Sequence, residues 1–184
     1  MSRLRLRIER ILNAITGLAG WISGLAMVVM ISLIFLNVSA RYLFGAGTVW
    51  LQELEWYFLS LSVMAGIAYA MRHDDHVRVD VFSHKFSRVG KYWLDLATMV
   101  LVALPVSVLV FYYAWPYVET SFIRGESSPN RGGMPWLFIP KSMILLGFFL
   151  VGLEALRQTL RIGARLVFHY RNRHRFSREG TRAA

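Results

Sequence analysis

Residues 11–40 form an apolar stretch in which thirty consecutive side chains carry no charge. A membrane-spanning helix needs about 20 predominantly apolar residues, so this stretch is long enough to cross a bilayer. It is also too long for the apolar region of a cleavable secretory signal, although arginines precede it. We therefore expect residues 11–40 to stay in the membrane as a helix.

Three more stretches have the length and apolarity of membrane spans. We predict spans at residues 14–41, 50–71, 94–117 and 136–160. No internal repeat is visible, so the sequence predicts one all-α membrane domain over residues 1–184, whose basic tail covers residues 161–184. The composition agrees, because 55% of the residues are hydrophobic and 14% are aromatic, which is too apolar for a soluble domain of this size.

Lysine and arginine are distributed unevenly between the two sides of these spans. The N-terminal arm, the connector between the second and third spans and the C-terminal tail contain 17 of the 21 basic residues, and the other two connections contain 4. Cytoplasmic segments of membrane proteins are enriched in lysine and arginine. The sequence therefore predicts that both termini and the middle connector are cytoplasmic.

The stretch RHDDHVRVDVF, residues 72–82, places two histidines and three aspartates after the second span. His73, His76 and Asp80 are three and four residues apart, so a helix would bring them to one face, where they could hold a metal ion. Two arginines in the same stretch oppose binding of a dication. Apolar and charged residues alternate and then recur at helical spacing up to Trp93, which favours an amphipathic segment at the membrane surface.

Several classes of site lack the residues that they require. Haem in a four-helix membrane subunit is held by histidines within the bundle, and none of the five histidines falls inside a predicted span. Serines within the spans have no intramembrane histidine or lysine to activate them as nucleophiles. The chain has no cysteine for a disulfide or a thiolate ligand. We expect no catalytic residue, no cofactor and no metal site in this chain.

The basic tail after residue 157 has arginines at helical spacing, which predicts a continuation of the last helix beyond the membrane. Such a stripe favours contact with anionic lipid. Nucleic-acid binding is not expected, because residues suited to base stacking are sparse there.

Charged and polar residues also gather near the predicted span ends. Glu53 and Glu55 open the second span two residues apart, so on a helix they point in different directions and cannot form a close carboxylate pair. Both complement the dipole at a helix N terminus. Asn37 could hydrogen-bond to a neighbouring helix. Lys141 lies one turn into the fourth span, from which its side chain can reach outward to the interface.

The connection RGESSPNRGGMPW, residues 124–136, is dense in glycine and proline. We predict a hairpin that lies outside the cytoplasm and orders poorly alone. Glu126 and Arg131 make it a candidate rim for docking of a soluble partner.

Taken together, several segments resemble the DctQ-type small membrane subunit of tripartite ATP-independent periplasmic (TRAP) transporters, in register over about residues 30–160. They are NVSARYLFG, WLQELEWYFL, GIAYAMRHDDHVRVDVF and GESSPNRGGMPWLFIPKSMILLGF. The most specific are HVRVD at 76–80, the loop from Gly-Glu to Gly-Gly, and Lys141 followed six residues later by Gly147. Family members often have a proline four residues after that lysine, where this chain has Leu145.

The resemblance implies a scaffold in the bacterial cytoplasmic (inner) membrane, and not an enzyme. In such systems a periplasmic binding protein captures an organic acid anion. A large DctM-type membrane subunit with an elevator-type moving domain then carries the anion with sodium, while the small subunit braces the stationary part. The residues agree on one point, since no polar cluster reaches the bilayer midplane, where transporters place substrate and ion sites.

Seven ionisable residues are therefore candidates for subunit contact and membrane positioning. They are Glu53, Arg72, His76, Arg78, Asp80, Glu126 and Lys141. Two other interpretations stay open at this point, a membrane anchor of a redox complex and a small autonomous transporter or channel.

Overall fold

The computed structural model describes the backbone of residues 3–73 and 88–182, and the side chains of residues 7–73 and 89–169. The helices in these ranges are α1 (Arg3–Phe44), α2 (Val49–Arg72), α3 (Arg88–Thr98), α4 (Leu104–Ile123) and α5 (Phe138–Arg182), and a π-helical turn (Met99–Ala103) joins α3 to α4.

Four helical segments are long and apolar enough to cross a membrane, which confirms the predicted all-α fold with four spans. α1 has 42 residues and α5 has 45. At a rise of 1.5 Å per residue each is about 60–70 Å long, roughly twice the thickness of the hydrocarbon layer. The N-terminal part of α1 and the C-terminal part of α5 meet beside the end of α2, where Glu9, Arg72 and Arg161 line one cleft. We call this the basic end; its cytoplasmic orientation stays a prediction.

The third span is one continuous helical segment from Arg88 to Ile123. Pro105 follows the π-helical turn and has no N–H to donate to the carbonyl of Leu101. A local π-helical turn accommodates such a missing hydrogen bond without ending the helix. The predicted amphipathic surface segment therefore continues directly into the span where the structure describes it, and its part at 74–87 lies outside the described residues.

The helices pack as an open row and not as a closed bundle. α1 packs against α2, α2 against α5, and α5 against α4; among the described residues no comparable contact joins α1 to α4. α1 and α4 therefore form the two edges of the row. Each edge helix leaves an apolar face uncovered, and on α1 that face recurs at helical spacing: Leu18, Trp21, Leu25, Val28 and Phe35.

Small side chains form the crossing between α1 and α2. Ala19, Ala65 and Ala68 are buried there. Ser23 Oγ donates to the Ser62 carbonyl at 2.7 Å, and Ser62 Oγ donates to the Ser23 carbonyl at 2.9 Å. Small residues let membrane helices approach closely, and hydroxyl groups then hydrogen-bond between them. These serines are thus structural.

Gly147 packs against α2, where a Cβ atom would lie 2.8 Å from Met64 Sδ and 3.1 Å from the Met64 carbonyl oxygen. We expect Gly147→Ala to lower the free energy of unfolding by about 1–3 kcal/mol, because a helix backbone cannot move aside easily. Gly163→Ala is the matched control, since a Cβ there would meet nothing within 4 Å, and it should be neutral or slightly stabilising. Thermal unfolding in detergent measures both, and equal stability of the two variants would contradict this packing.

Candidate functional site

The 124–137 loop joins α4 to α5 at the end of the molecule opposite the basic end; we call this the loop end. The loop starts with a helix cap in which the Glu126 N–H donates to the Ser121 carbonyl and the Gly125 N–H donates to the Phe122 carbonyl, both at 3.1 Å. Gly125 has a φ of 58°, which glycine adopts without strain. The cap turns the Glu126 carboxylate back to α4, where the Ser121 hydroxyl donates to it at 2.7 Å.

Glu53, at the start of α2, anchors the middle of this loop. Its carboxylate accepts hydrogen bonds from the Ser128 hydroxyl, from Asn130 Nδ2 at 2.9 Å and from the Met134 N–H at 2.6 Å. Gly133 permits this approach, because a Cβ there would lie 2.7 Å from Glu53 Oε2. The loop is thus held by its own chain, which differs from the prediction that it orders poorly alone.

An ion pair between Lys141 and Glu126 ties the start of α5 to the loop. The Lys141 ammonium also lies 4.4 Å from the centre of the Tyr117 ring on α4, a favourable cation–π distance. Lys141 therefore does not extend outward as predicted, and its side chain is only 15% exposed. One lysine joins α4, the loop and α5.

The surroundings of the Glu126 carboxyl favour its ionised form. The hydrogen bond from Lys141, and then that from Ser121, hold its pKa below the ordinary value of 4.5. A carboxyl whose pKa is lower in the folded state stabilises the fold above its unfolded-state pKa. That contribution is lost as the pH falls through the folded-state pKa. The ion pair is thus complete at neutral and mildly acidic pH.

We expect Lys141→Glu to release the loop, because it places a second carboxylate against Glu126. Adding Glu126→Lys restores opposite charges at the two positions and should recover most of the protection of the loop amides against hydrogen exchange. Amide hydrogen exchange of residues 126–136 measures the effect, and protection in the wild type should change little from pH 8 to about pH 5.5. Equal protection in the wild type and the single variant would contradict a role for the pair.

Trp136 ends the loop with a φ of 66°, which is rare for a residue other than glycine. Two hydrogen bonds of 3.0 Å hold this conformation. The Ile139 N–H donates to the Trp136 carbonyl, and the Leu137 N–H donates to the Glu126 carbonyl. Trp136 is 60% exposed. α5 begins at Phe138, two residues after the predicted start of the fourth span. Trp136 therefore belongs to the loop and is exposed at its surface.

The two glutamates at the start of α2 diverge as predicted. Glu53 binds the loop, whereas Glu55 Oε1 accepts a hydrogen bond from Asn37 Nδ2 on α1 at 3.0 Å. This confirms the predicted interhelical hydrogen bond of Asn37. Together the glutamates connect α1, α2 and the loop at the loop end.

Three of the seven predicted site residues thus meet at the loop end, and a fourth lies at the basic end. Arg72 Nη1 donates to the Asn13 carbonyl at 2.8 Å and to Thr16 Oγ1 at 3.4 Å. Arg72 therefore positions α2 against α1. The role of all seven in contacts with other subunits stays a prediction. The last three lie outside the described residues: His76, Arg78 and Asp80.

Sequence reasoning missed a buried ion pair on α5 near the basic end. Glu154 is 0% exposed, and Arg157 donates to its two carboxylate oxygens at 2.8 and 2.5 Å. Gln158 Nε2 donates to Glu154 Oε1 at 3.1 Å and to the Met71 carbonyl on α2 at 2.7 Å. The available signal was the Glu-x-x-Arg spacing, which places both side chains on one helix face. This cluster joins α5 to α2.

Known proteins share the sequence pattern of this chain. Residues 30–164 match the model of the family described as tripartite ATP-independent periplasmic transporters, DctQ component. Over 145 residues the chain is 28% identical to the ectoine TRAP transporter small permease protein TeaB of Halomonas elongata. The aligned region covers 77% of this chain and 72% of that protein. The chain therefore belongs to the DctQ family, the small permease components of TRAP transporters, and is a multi-pass protein of the bacterial inner membrane.

Proposed function

We propose that this chain braces the stationary part of a secondary transporter that imports an organic acid anion together with sodium. A large DctM-type membrane subunit carries the anion and binds the sodium. A periplasmic binding protein delivers the anion. In this proposal the chain itself catalyses no reaction and holds no cofactor, and membrane lipids cover the apolar surface that the large subunit leaves open.

The proposal depends on one observation, which is that the middle of the predicted spans has no acidic or basic side chain. The acidic and basic side chains of the described residues lie toward the two ends of the predicted spans, and the deepest of them, Glu154 and Arg157, are paired with each other. Serines between them bond within the protein: Ser23 and Ser62 form a pair, and the Ser107 Oγ donates to the Leu104 carbonyl at 2.8 Å. Secondary transporters place substrate and ion sites near the bilayer midplane. A chain without such a site is suited to bracing.

The open row of helices supports a role beside a larger membrane partner. The apolar faces of α1 and α4 have no covering helix among the described residues. On α1 the exposed face includes Trp21, a residue that is 83% exposed, and on α4 it includes Tyr113, which is 71% exposed. A large membrane subunit packed against either edge would extend the row without rearranging it.

The loop end supports a role in docking the binding protein. Glu53, Glu126 and Lys141 fix the loop, so it presents Arg131 and Trp136 at its surface. Arginine and tryptophan are enriched among the residues that dominate protein–protein binding energy. In the predicted orientation this surface faces the periplasm, where the binding protein is found.

Cysteine cross-linking with the co-expressed large subunit tests the proposal, since the chain has no cysteine of its own. We expect co-purification from detergent and cross-links from Leu25→Cys on α1, from Leu109→Cys on α4, or from both. The buried control Ala68→Cys should not cross-link. A chain that purifies alone and cross-links from neither edge would overturn the proposal. A Soret band in the purified chain would also overturn it and favour a redox anchor.

A further inference from the structure

Two adjoining clefts open at the basic end, with volumes of about 290 and 270 Å³. Both are lined by Arg72, Arg157 and Arg161, which come from α2 and α5. The walls differ between the clefts. Glu9, Asn13 and His73 complete the first, whereas Tyr92, Asp95, Gln158, Ile162 and Arg165 complete the second.

The guanidinium groups of these clefts differ in how far they are already engaged. Arg157 is paired with the buried Glu154. Arg161 is exposed and forms no ion pair with any side chain that the structure describes. Arg165 is also exposed, and its guanidinium lies 6.0 Å from the centre of the Tyr92 ring. Arg161 and Arg165 are therefore placed to bind an anion.

The surrounding charge favours an anion even though Glu9 and Asp95 each line one cleft. In the sequence, the N-terminal arm, the connector after the second span and the tail, with the span ends next to them, contain 17 lysines and arginines against 7 aspartates and glutamates, whereas the other two connections with their span ends contain 4 of each. The three segments that are predicted to be cytoplasmic, with these span ends, thus account for the whole net charge of +10. An anion in the clefts would reduce repulsion among the arginines.

The clefts lie at the level expected for lipid headgroups. Arg157 is 19 residues after the start of α5 at Phe138, which is about 29 Å along the helix and close to the thickness of the hydrocarbon layer. Trp93 and Leu160, on the helices that line the second cleft, are 53% and 41% exposed. A ligand with a phosphate head and acyl chains matches this combination better than a free anion does.

We propose that these clefts bind the headgroup phosphate of an anionic phospholipid. Arg161 and Arg165 contact the phosphate, and Arg72 closes the site from α2. Basic clefts between membrane helices are known to hold such headgroups. Asn13 Oδ1 is buried and has no hydrogen-bond partner among the described residues, so it can accept a bond from a headgroup hydroxyl. A bound lipid would join α1, α2, α3 and α5, and this does not depend on which cargo the transporter carries.

Binding of defined lipids to the full chain in detergent tests this inference. We expect phosphatidylglycerol to bind the delipidated protein and to raise its thermal unfolding temperature, and phosphatidylcholine to do neither. The double variant R161Q/R165Q should weaken phosphatidylglycerol binding about tenfold or more. The control R41Q/R124Q removes the same charge from exposed positions at the loop end and should bind as the wild type does.

Three outcomes would overturn the inference. Equal loss of binding in the two double variants would show a general charge effect, and equal binding of phosphatidylcholine would show no preference for an anion. Stabilisation by inorganic phosphate at the same concentrations as phosphatidylglycerol would show a site for free phosphate and not for a lipid. Binding retained in R161K/R165K but lost in R161Q/R165Q, with both eluting as monodisperse protein, would support the proposed contacts.

Discussion

Replacing Arg157 by leucine is expected to lower the free energy of unfolding by about 3–5 kcal/mol, because it leaves one half of a buried ion pair uncompensated. The Glu154 carboxylate would stay 0% exposed and, among the residues that the structure describes, would keep only the Gln158 amide as a partner. Gln158 also bonds to the Met71 carbonyl, so the disturbance should spread to the contact between α5 and α2. Denaturation of the purified protein in detergent, followed by tryptophan fluorescence, measures the loss.

The double variant Glu154→Leu with Arg157→Leu separates the ion pair from the shape of the site. Replacement of both charges by apolar side chains is often neutral or even stabilising, so we expect most of the lost stability to return. Arg10→Leu, at an exposed position on α1, is a control for loss of a single arginine and should change stability little. If Arg157→Leu were as stable as Arg10→Leu, the buried pair would have no structural role.

Replacing Glu53 by alanine is expected to abolish the order of the 124–137 loop. The carboxylate accepts bonds from Ser128, Asn130 and the Met134 N–H, and hydrogen bonds to a charged group contribute about 1.5–3 kcal/mol each at most, less where water can compete. Amide hydrogen exchange should rise sharply across residues 126–136 while the spans stay protected. In the assembled transporter we expect uptake to fall, because the released loop no longer presents the docking surface. This expectation depends on the proposed function.

Glu55→Ala is the matched control for Glu53→Ala. It removes the same charge two positions away, but its carboxylate bonds to Asn37 on α1 and not to the loop. Loop exchange should therefore stay near the wild-type rate in Glu55→Ala. Similar exchange in both variants would mean that charge at the start of α2, and not the contacts of Glu53, orders the loop.

The four spans could be predicted because a charge-free apolar stretch of about 20 residues is typical of a membrane-spanning helix. The interhelical bond of Asn37 was predictable for a related reason, since a polar side chain in lipid must find a partner. The sequence did not reveal the open row. Lipid tails, a partner subunit and a neighbouring helix all favour the same apolar side chains, so hydropathy cannot tell the uncovered faces of α1 and α4 from packed ones.

The contact between Glu53 and the 124–137 loop could not be predicted, for a different reason. Glu53 and Met134 are 81 positions apart, and no local pattern shows that the start of α2 lies beside this loop. The sequence around Gly133 indicates only a turn, whereas the contact with Glu53 requires a position without a Cβ. For Glu154 the spacing to Arg157 was visible in the sequence, but only the packing against α2 shows that the pair is buried.

Sodium-driven uptake into liposomes tests the central claim most directly. The measurement compares vesicles that contain the large subunit with this chain, the large subunit alone, and this chain alone, each supplied with the binding protein and an organic acid anion. We expect uptake only when both membrane subunits are present, because among the described residues no charged cluster lies at the middle of the predicted spans. Uptake into vesicles that contain this chain alone, or full uptake without it, would contradict a bracing subunit.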